Sequence, residues 1–175
     1  FGNKAGLVFD GRYPMPLTDG QMNAREGVTS ISDSLGNLMY YSDGKTVWNM
    51  NHQIIEQDLM GDPLSTMSAY TLPDRLNFRQ FFLFTTSIIT NGTDGPVVPD
   101  GGHYYKLDFS SANPEGKIIE DYSSLGTGPI QEASVEKILG IPYPASIIAD
   151  SLKQAGYWVV THGFDTGTYK ITLFV

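Results

Sequence analysis

The chain has 175 residues with a net charge of −8, and its 11 Lys and Arg are scattered. A phosphate-binding surface or a polybasic membrane contact needs clustered cations, so the composition excludes nucleic acid and anionic lipid as natural partners. With no cysteine, disulfides, thiol nucleophiles and thiolate metal sites are excluded too. The 41% hydrophobic content, with ten Tyr, nine Phe and two Trp among 19 Gly and 10 Pro, favours strands broken by turns over long helices. No apolar run reaches membrane-spanning length; the longest candidates are 81–84 and 147–149. Phe1 opens directly into a structured-looking segment without a signal peptide. An exported protein would therefore be present in its mature form.

In chain order, the clearest stretch is 29–49, within a first unit at 28–57. A small-residue strand at 28–32 runs into the turn Asp33-Ser34-Leu35-Gly36-Asn37, and a second strand covers 38–42. Asp43-Gly44 is a strong hairpin signal, because both turn positions tolerate positive φ. Strands at 46–49 and 53–57 complete a four-stranded antiparallel unit, the content of one propeller blade.

The pattern returns over 68–121, with strands at 68–72, 78–87, 104–109 and 117–121, and a loop rich in Gly, Asp, Asn and Pro at 89–102. A third unit at 145–175 has a strand at 145–149, an aromatic strand at 157–162, a turn at Asp165-Thr166-Gly167 and a last strand at 169–175. Residues 147–155 also fit a short helix ending before Gly156. A strand and turn are preferred because the aromatic strand from Tyr157 needs a neighbour. The unit starts at 28, 68 and 145 describe a recurrence with insertions, not a strict repeat.

The expected fold is thus all-β, a partial β-propeller of about two to three blades of antiparallel four-stranded sheets. A propeller closes with about four to eight blades, so further sequence is expected to complete it. The open edge of apolar strands is an aggregation hazard that something must cover. The expected partner is the remainder of the same polypeptide or another subunit.

Several segments carry a family resemblance: FGNKAGLVF at 1–9, Leu17-Thr18-Asp19-Gly20, Glu26-Gly27, residues 30–44, TVWNMNHQ at 46–53, residues 65–68 and YWVVTHG at 157–163. Together they resemble the N-terminal propeller of large Bacteroidetes surface proteins, the gliding-motility and adhesin-like substrates of the type IX secretion system. The family motif usually opens with Trp-Tyr before the phenylalanine, which implies that this chain begins inside it. The likeness is dense over 1–53 and sparse over 89–143, where the chain carries its own insertions. It implies an extracellular, cell-surface location, with secretion machinery or surface glycans among the partners.

The candidate sites follow from residue chemistry. His52, His103 and His162 show no metal-ligand spacing, and His52 and His162 read as strand-end histidines bonded to turns. Asp33, Asp43, Asp94, Asp100 and Asp165 lie in oxygen-rich turns; Asp94 and Asp100 are the best calcium candidates, although Asp also occupies turns to bond the local backbone. No other cofactor is expected. Asp19 with Glu26, and Glu120 with Asp121, have no context that would separate their acidities for glycoside chemistry, and G-x-S-x-G is absent.

Trp48 and Trp158 could stack on sugars or pack between blades. In the pairs Tyr40-Tyr41, Tyr104-Tyr105 and Tyr157-Trp158, one ring faces the core and the other points away. Asp33-Ser34-Leu35 and Asp150-Ser151-Leu152 match the short O-glycosylation pattern of Bacteroidetes exported proteins, nominating Ser34 and Ser151. The expected function is a non-enzymatic surface module making adhesion- or gliding-type contacts. The alternatives are a carbohydrate-binding or glycan-hydrolysing propeller, and a structural subunit of a larger cell-surface or secretion assembly.

Overall fold

The computed structural model describes residues 2–9, 11, 13–87, 90–92, 95–97, 101–121, 134–143, 155–163 and 167–174. These residues are all-β. A first hairpin pairs β1 (Gly6–Val8) with β2 (Met15–Leu17). Sheet I follows as an antiparallel meander of β3 (Thr29–Ser32), β4 (Leu38–Ser42), β5 (Val47–Asn49) and β6 (Ile54–Glu56).

Sheet II begins with β7 (Ala69–Pro73) and β8 (Gln80–Thr86). The chain then makes a separate hairpin, β9 (Thr90–Gly92) with β10 (Gly95–Val97). It returns to sheet II as β11 (Gly102–Asp108) and β12 (Lys117–Asp121), giving the spatial order β7-β8-β11-β12. Sheet III is β13 (Ser134–Tyr143), β14 (Gly156–Gly163) and β15 (Tyr169–Phe174).

Successive strand residues point to opposite faces, so an uninterrupted apolar run signals a strand covered on both sides. β8 is such a strand. Its Phe81 and Leu83 join Tyr40, Val47, Tyr105 and Leu107 in the layer between sheets I and II. Its Phe82 and Phe84 join Leu72, Ile138, Val159 and Phe174 in the layer between sheets II and III. The Phe174 ring meets Phe84 edge-on at 5.0 Å and Tyr104 at 4.7 Å. Sheet I is also covered on both faces, because Met22, Ala24, Tyr41 and Trp48 form a third layer against the segment before β3.

Sheets I and II stack in matching order. Their first strands, β3 and β7, touch, and so do their last strands, β6 and β12. Thr71 of β7 fastens the first pair, accepting from Thr29 Oγ1 at 3.1 Å and lying 2.9 Å from the Tyr40 hydroxyl. Burial pushes the Tyr40 phenol well above its ordinary range, with the Thr71 bond working the other way. The segment between β6 and β7 crosses the end of the β4–β5 hairpin, where Leu59 and Gly61 donate to the carbonyls of Lys45 and Gly44.

Four sequence expectations change. The Tyr157 strand takes β13 as its neighbour, with Pro142 opposite Tyr157 and Ile141 opposite Trp158; residues 145–149 lie outside the described residues. The Asp43-Gly44 hairpin closes over the four residues 43–46, since Ser42 pairs with Val47. The aromatic strand starts at Gln80, leaving Phe78 82% exposed. Finally, the second rings of Tyr40-Tyr41 and Tyr104-Tyr105 point away from one layer only to enter another.

Candidate functional site

The turn carboxylates bind their own loops. Asp33 Oδ1 accepts the N–H groups of Leu35 and Asn37, and Oδ2 accepts from the Asn37 side chain. Those bonds, the Asn37 amide foremost, hold the Asp33 carboxyl below its ordinary range. Asp43 Oδ1 accepts from Lys45 and Thr46. Asp74 accepts from Leu76 and Asn77 and pairs with Lys106 Nζ at 2.9 Å, both side chains being largely buried.

Asp108 accepts from Gln80 Nε2, Ser110 Oγ and Asn113 Nδ2. Burial disfavours its charge, yet the bonds from Ser110, Asn113 and Gln80 outweigh that and keep its carboxyl low. Asp74, Lys106 and Asp108 were not singled out as site residues from sequence; the available signal was charge at Lys106 and Asp108 inside an aromatic strand, with Asp74 in the turn after β7.

His52 sits at a turn whose Asn49 Oδ1 accepts from Asn51 and Gln53. Its Nδ1 lies 3.0 Å from the Tyr41 hydroxyl, which also accepts from the Gln21 N–H, and its Nε2 lies 3.5 Å from Asp19 Oδ2. This chain of contacts fastens residues 19–24 over the outer face of sheet I. Trp48 lies in the same layer, buried, its ring stacked on Tyr41 at 5.2 Å.

Ser34 occupies the exposed tip of the β3–β4 hairpin beside the fully projecting Leu35. Asp94, Asp100, Asp165 and Ser151 lie outside the described residues. Among the described residues, no three His, Asp or Glu converge as a metal cage. Glu120 and Asp121 pair opposite Lys106 and Tyr105 on the edge of sheet II.

A further feature of the described residues is the side of sheet III turned away from sheet II. Alternation along β14 sends Tyr157, Val159 and Thr161 inward and Trp158 and Val160 outward. Register then aligns two cross-strand rows, Ile141–Trp158–Leu173 and Leu139–Val160–Ile171. Leu139 is 56% exposed, Ile141 45%, Trp158 38% and Ile171 62%. Ile141, Trp158, Val160 and Ile171 line a shallow apolar hollow. Of these residues, sequence reasoning named only Trp158; the alternation of Ile171 and Leu173 in the last strand was the available signal.

These features define an all-β protein built from stacked antiparallel sheets, with an apolar sheet face open to solvent. Compared with known proteins, the chain matches no family model, no curated protein and no solved structure.

Proposed function

We propose that the chain is a non-enzymatic contact module, formed by successive blades of a β-propeller in a larger secreted surface protein. One observation carries this reading. Three antiparallel sheets follow one another in chain order and lie face to face, while the turn carboxylates Asp43 of sheet I and Asp74 and Asp108 of sheet II are engaged by their own loops.

A general acid needs a carboxyl raised toward the working pH, commonly beside a second carboxylate or in a dry pocket. Asp33 and Asp108 are shifted in the opposite direction, by bonds to the charged form. Their chemistry is that of turn fasteners. The described surface offers apolar side chains on sheet III and polar hairpin tips such as the one bearing Ser34. Contact of the adhesion or gliding type uses such a scaffold without bond-making chemistry.

The test is made in the native host. Antibodies to the chain should label intact cells, and removing its coding segment should lower attachment to surfaces. Attachment unchanged by the deletion, or turnover of a glycan, ester or peptide substrate by the purified chain, would end this reading.

A further inference from the structure

The first turns of sheets I and II each hold large apolar side chains out in solvent. Leu35 of the β3–β4 turn is 84% exposed; in the β7–β8 turn Leu76 is 54% exposed and Phe78 82%. Neither turn is loose. Asp33 Oδ1 accepts the N–H groups of Leu35 and Asn37. Asp74 Oδ1 accepts those of Leu76 and Asn77, and Asn77 Oδ1 accepts that of Arg79. The Arg79 carbonyl accepts in turn from Phe109, just past β11. With the backbone braced around each exposed residue, little ordering of the main chain remains to be lost on binding.

The two tips share one end of the stack. β3 touches β7, and the Asp33 carboxyl, held low first by Asn37, also feels the charge of Arg79. Arg79 is exposed and forms no ion pair among the described residues. Arg75, at the start of the same turn, lies 6.0 Å from the centre of the Tyr157 ring in sheet III. Lys106 is bonded to Asp74. Three cations, Arg75, Arg79 and Lys106, thus stand against the carboxylates of Asp33 and Asp74 at these turns, in a chain whose net charge is −8. The local sign is opposite to that of the molecule.

We infer that Leu35, Leu76, Phe78 and Arg79 form a docking surface for an acidic peptide segment, one that carries aspartate or glutamate beside an aromatic or aliphatic side chain. The apolar residues supply area to bury, and an exposed guanidinium takes a carboxylate through two parallel N–H donors. Aromatic rings and arginine are also the side chains that dominate binding energy at protein interfaces. This surface rests on the contact-module reading above and gives the chemistry of the partner.

A bilayer or a second copy fits less well, because each meets the whole molecule and its full negative charge. A short peptide feels the charges within a Debye length, about 8 Å at physiological salt. Over that range the arginines prevail.

The probe is a synthetic peptide of repeated Gly-Asp-Phe-Glu units, with repeated Gly-Lys-Phe-Lys units as control, titrated into the isotopically labelled chain and followed by amide NMR. The acidic peptide should shift the amides of 33–37 and 74–79, more weakly as salt rises, and the basic peptide should leave them unmoved. Phe78→Ser and Arg79→Glu should each weaken the acidic peptide by about tenfold or more. Their urea midpoints should stay near that of wild type, because both side chains are exposed. If either variant does not fold, a nitroxide on the acidic peptide reads the same contact in the wild-type chain. Broadening centred on 33–37 and 74–79 supports the surface, and broadening elsewhere refutes it.

Shifts of those amides by both peptides overturn the inference, and so does wild-type affinity in the variants. So does a response of the same amides to phosphatidylcholine vesicles, or to raised protein concentration, in place of the acidic peptide. Attachment lost on deletion of the chain without any peptide binding would sink this surface alone. Peptide binding with attachment unaffected by deletion would sink only the adhesion reading.

Discussion

Replacing Gly44 by alanine places a methyl group where Ser68 already stands. Gly44 and Gly36 are both hairpin glycines, with φ of +86° and +87°. They differ in their surroundings. An added Cβ at Gly36 would meet nothing within 4 Å, whereas at Gly44 it would overlap the hydroxyl and carbonyl oxygens of Ser68. Gly36→Ala therefore reports the cost of holding an L-residue in the left-handed region, about 1–2 kcal/mol.

Gly44→Ala carries that cost and an overpacking cost of about 1–3 kcal/mol, for a total of about 2–5 kcal/mol. Ser68 has little freedom to yield. Its hydroxyl donates to the Asp43 carbonyl, its N–H donates to Ser65, and its carbonyl accepts from Thr86. The assay is urea unfolding of wild type and both variants, followed by the fluorescence of the buried Trp48. The midpoints should fall in the order wild type, Gly36→Ala, Gly44→Ala, with slopes unchanged. If Gly44→Ala lost no more than Gly36→Ala, the hairpin would not be held against the segment between sheets I and II.

Three further outcomes are expected. Phe84→Ala removes a fully buried ring that meets Phe174 at 5.0 Å; it should cost about 3–5 kcal/mol in the same assay, and a loss under about 1 kcal/mol would contradict the packing of sheet II on sheet III. Lys106→Met leaves the Asp74 carboxylate buried without its cation and should cost about 3–5 kcal/mol, part of it recovered by adding Asp74→Asn; no recovery would show that the pair is not coupled. The Asp108 carboxyl is held below its ordinary 3.8 in the fold, so its stabilisation is complete above that value and fades as pH falls through the folded value. Asp108→Asn should therefore flatten the acid limb of stability below its ordinary 3.8, and an NMR titration placing this carboxyl at or above 3.8 would contradict the assignment.

Sheet I was the most legible part of the fold because its information is local. Asp33 and Asn37 close one turn, Asp43 and Gly44 shape the next, and each strand pairs with the one after it. In sheet II, β8 and β11 pair across the separate β9–β10 hairpin, and the aromatic run made both strands visible while the excursion remained opaque. β13 was missed for a physical reason. Gly140 and Pro142 read as strand breakers, but an edge strand accepts such residues, and Gly140 lies where Leu72 of sheet II comes closest.

Turn chemistry and strand content act over a few residues, so the sequence by itself determined that the protein is all-β and where the hairpins of sheet I bend. Which strand faces are covered depends on residues far apart in the chain. Trp48 and Trp158 look alike in sequence, each in the middle of a short aromatic strand. Stacking puts Trp48 against Tyr41 under the segment before β3, and puts Trp158 on the open side of sheet III. Tertiary structure alone decides between them, because burial belongs to the stack of sheets and not to the strand.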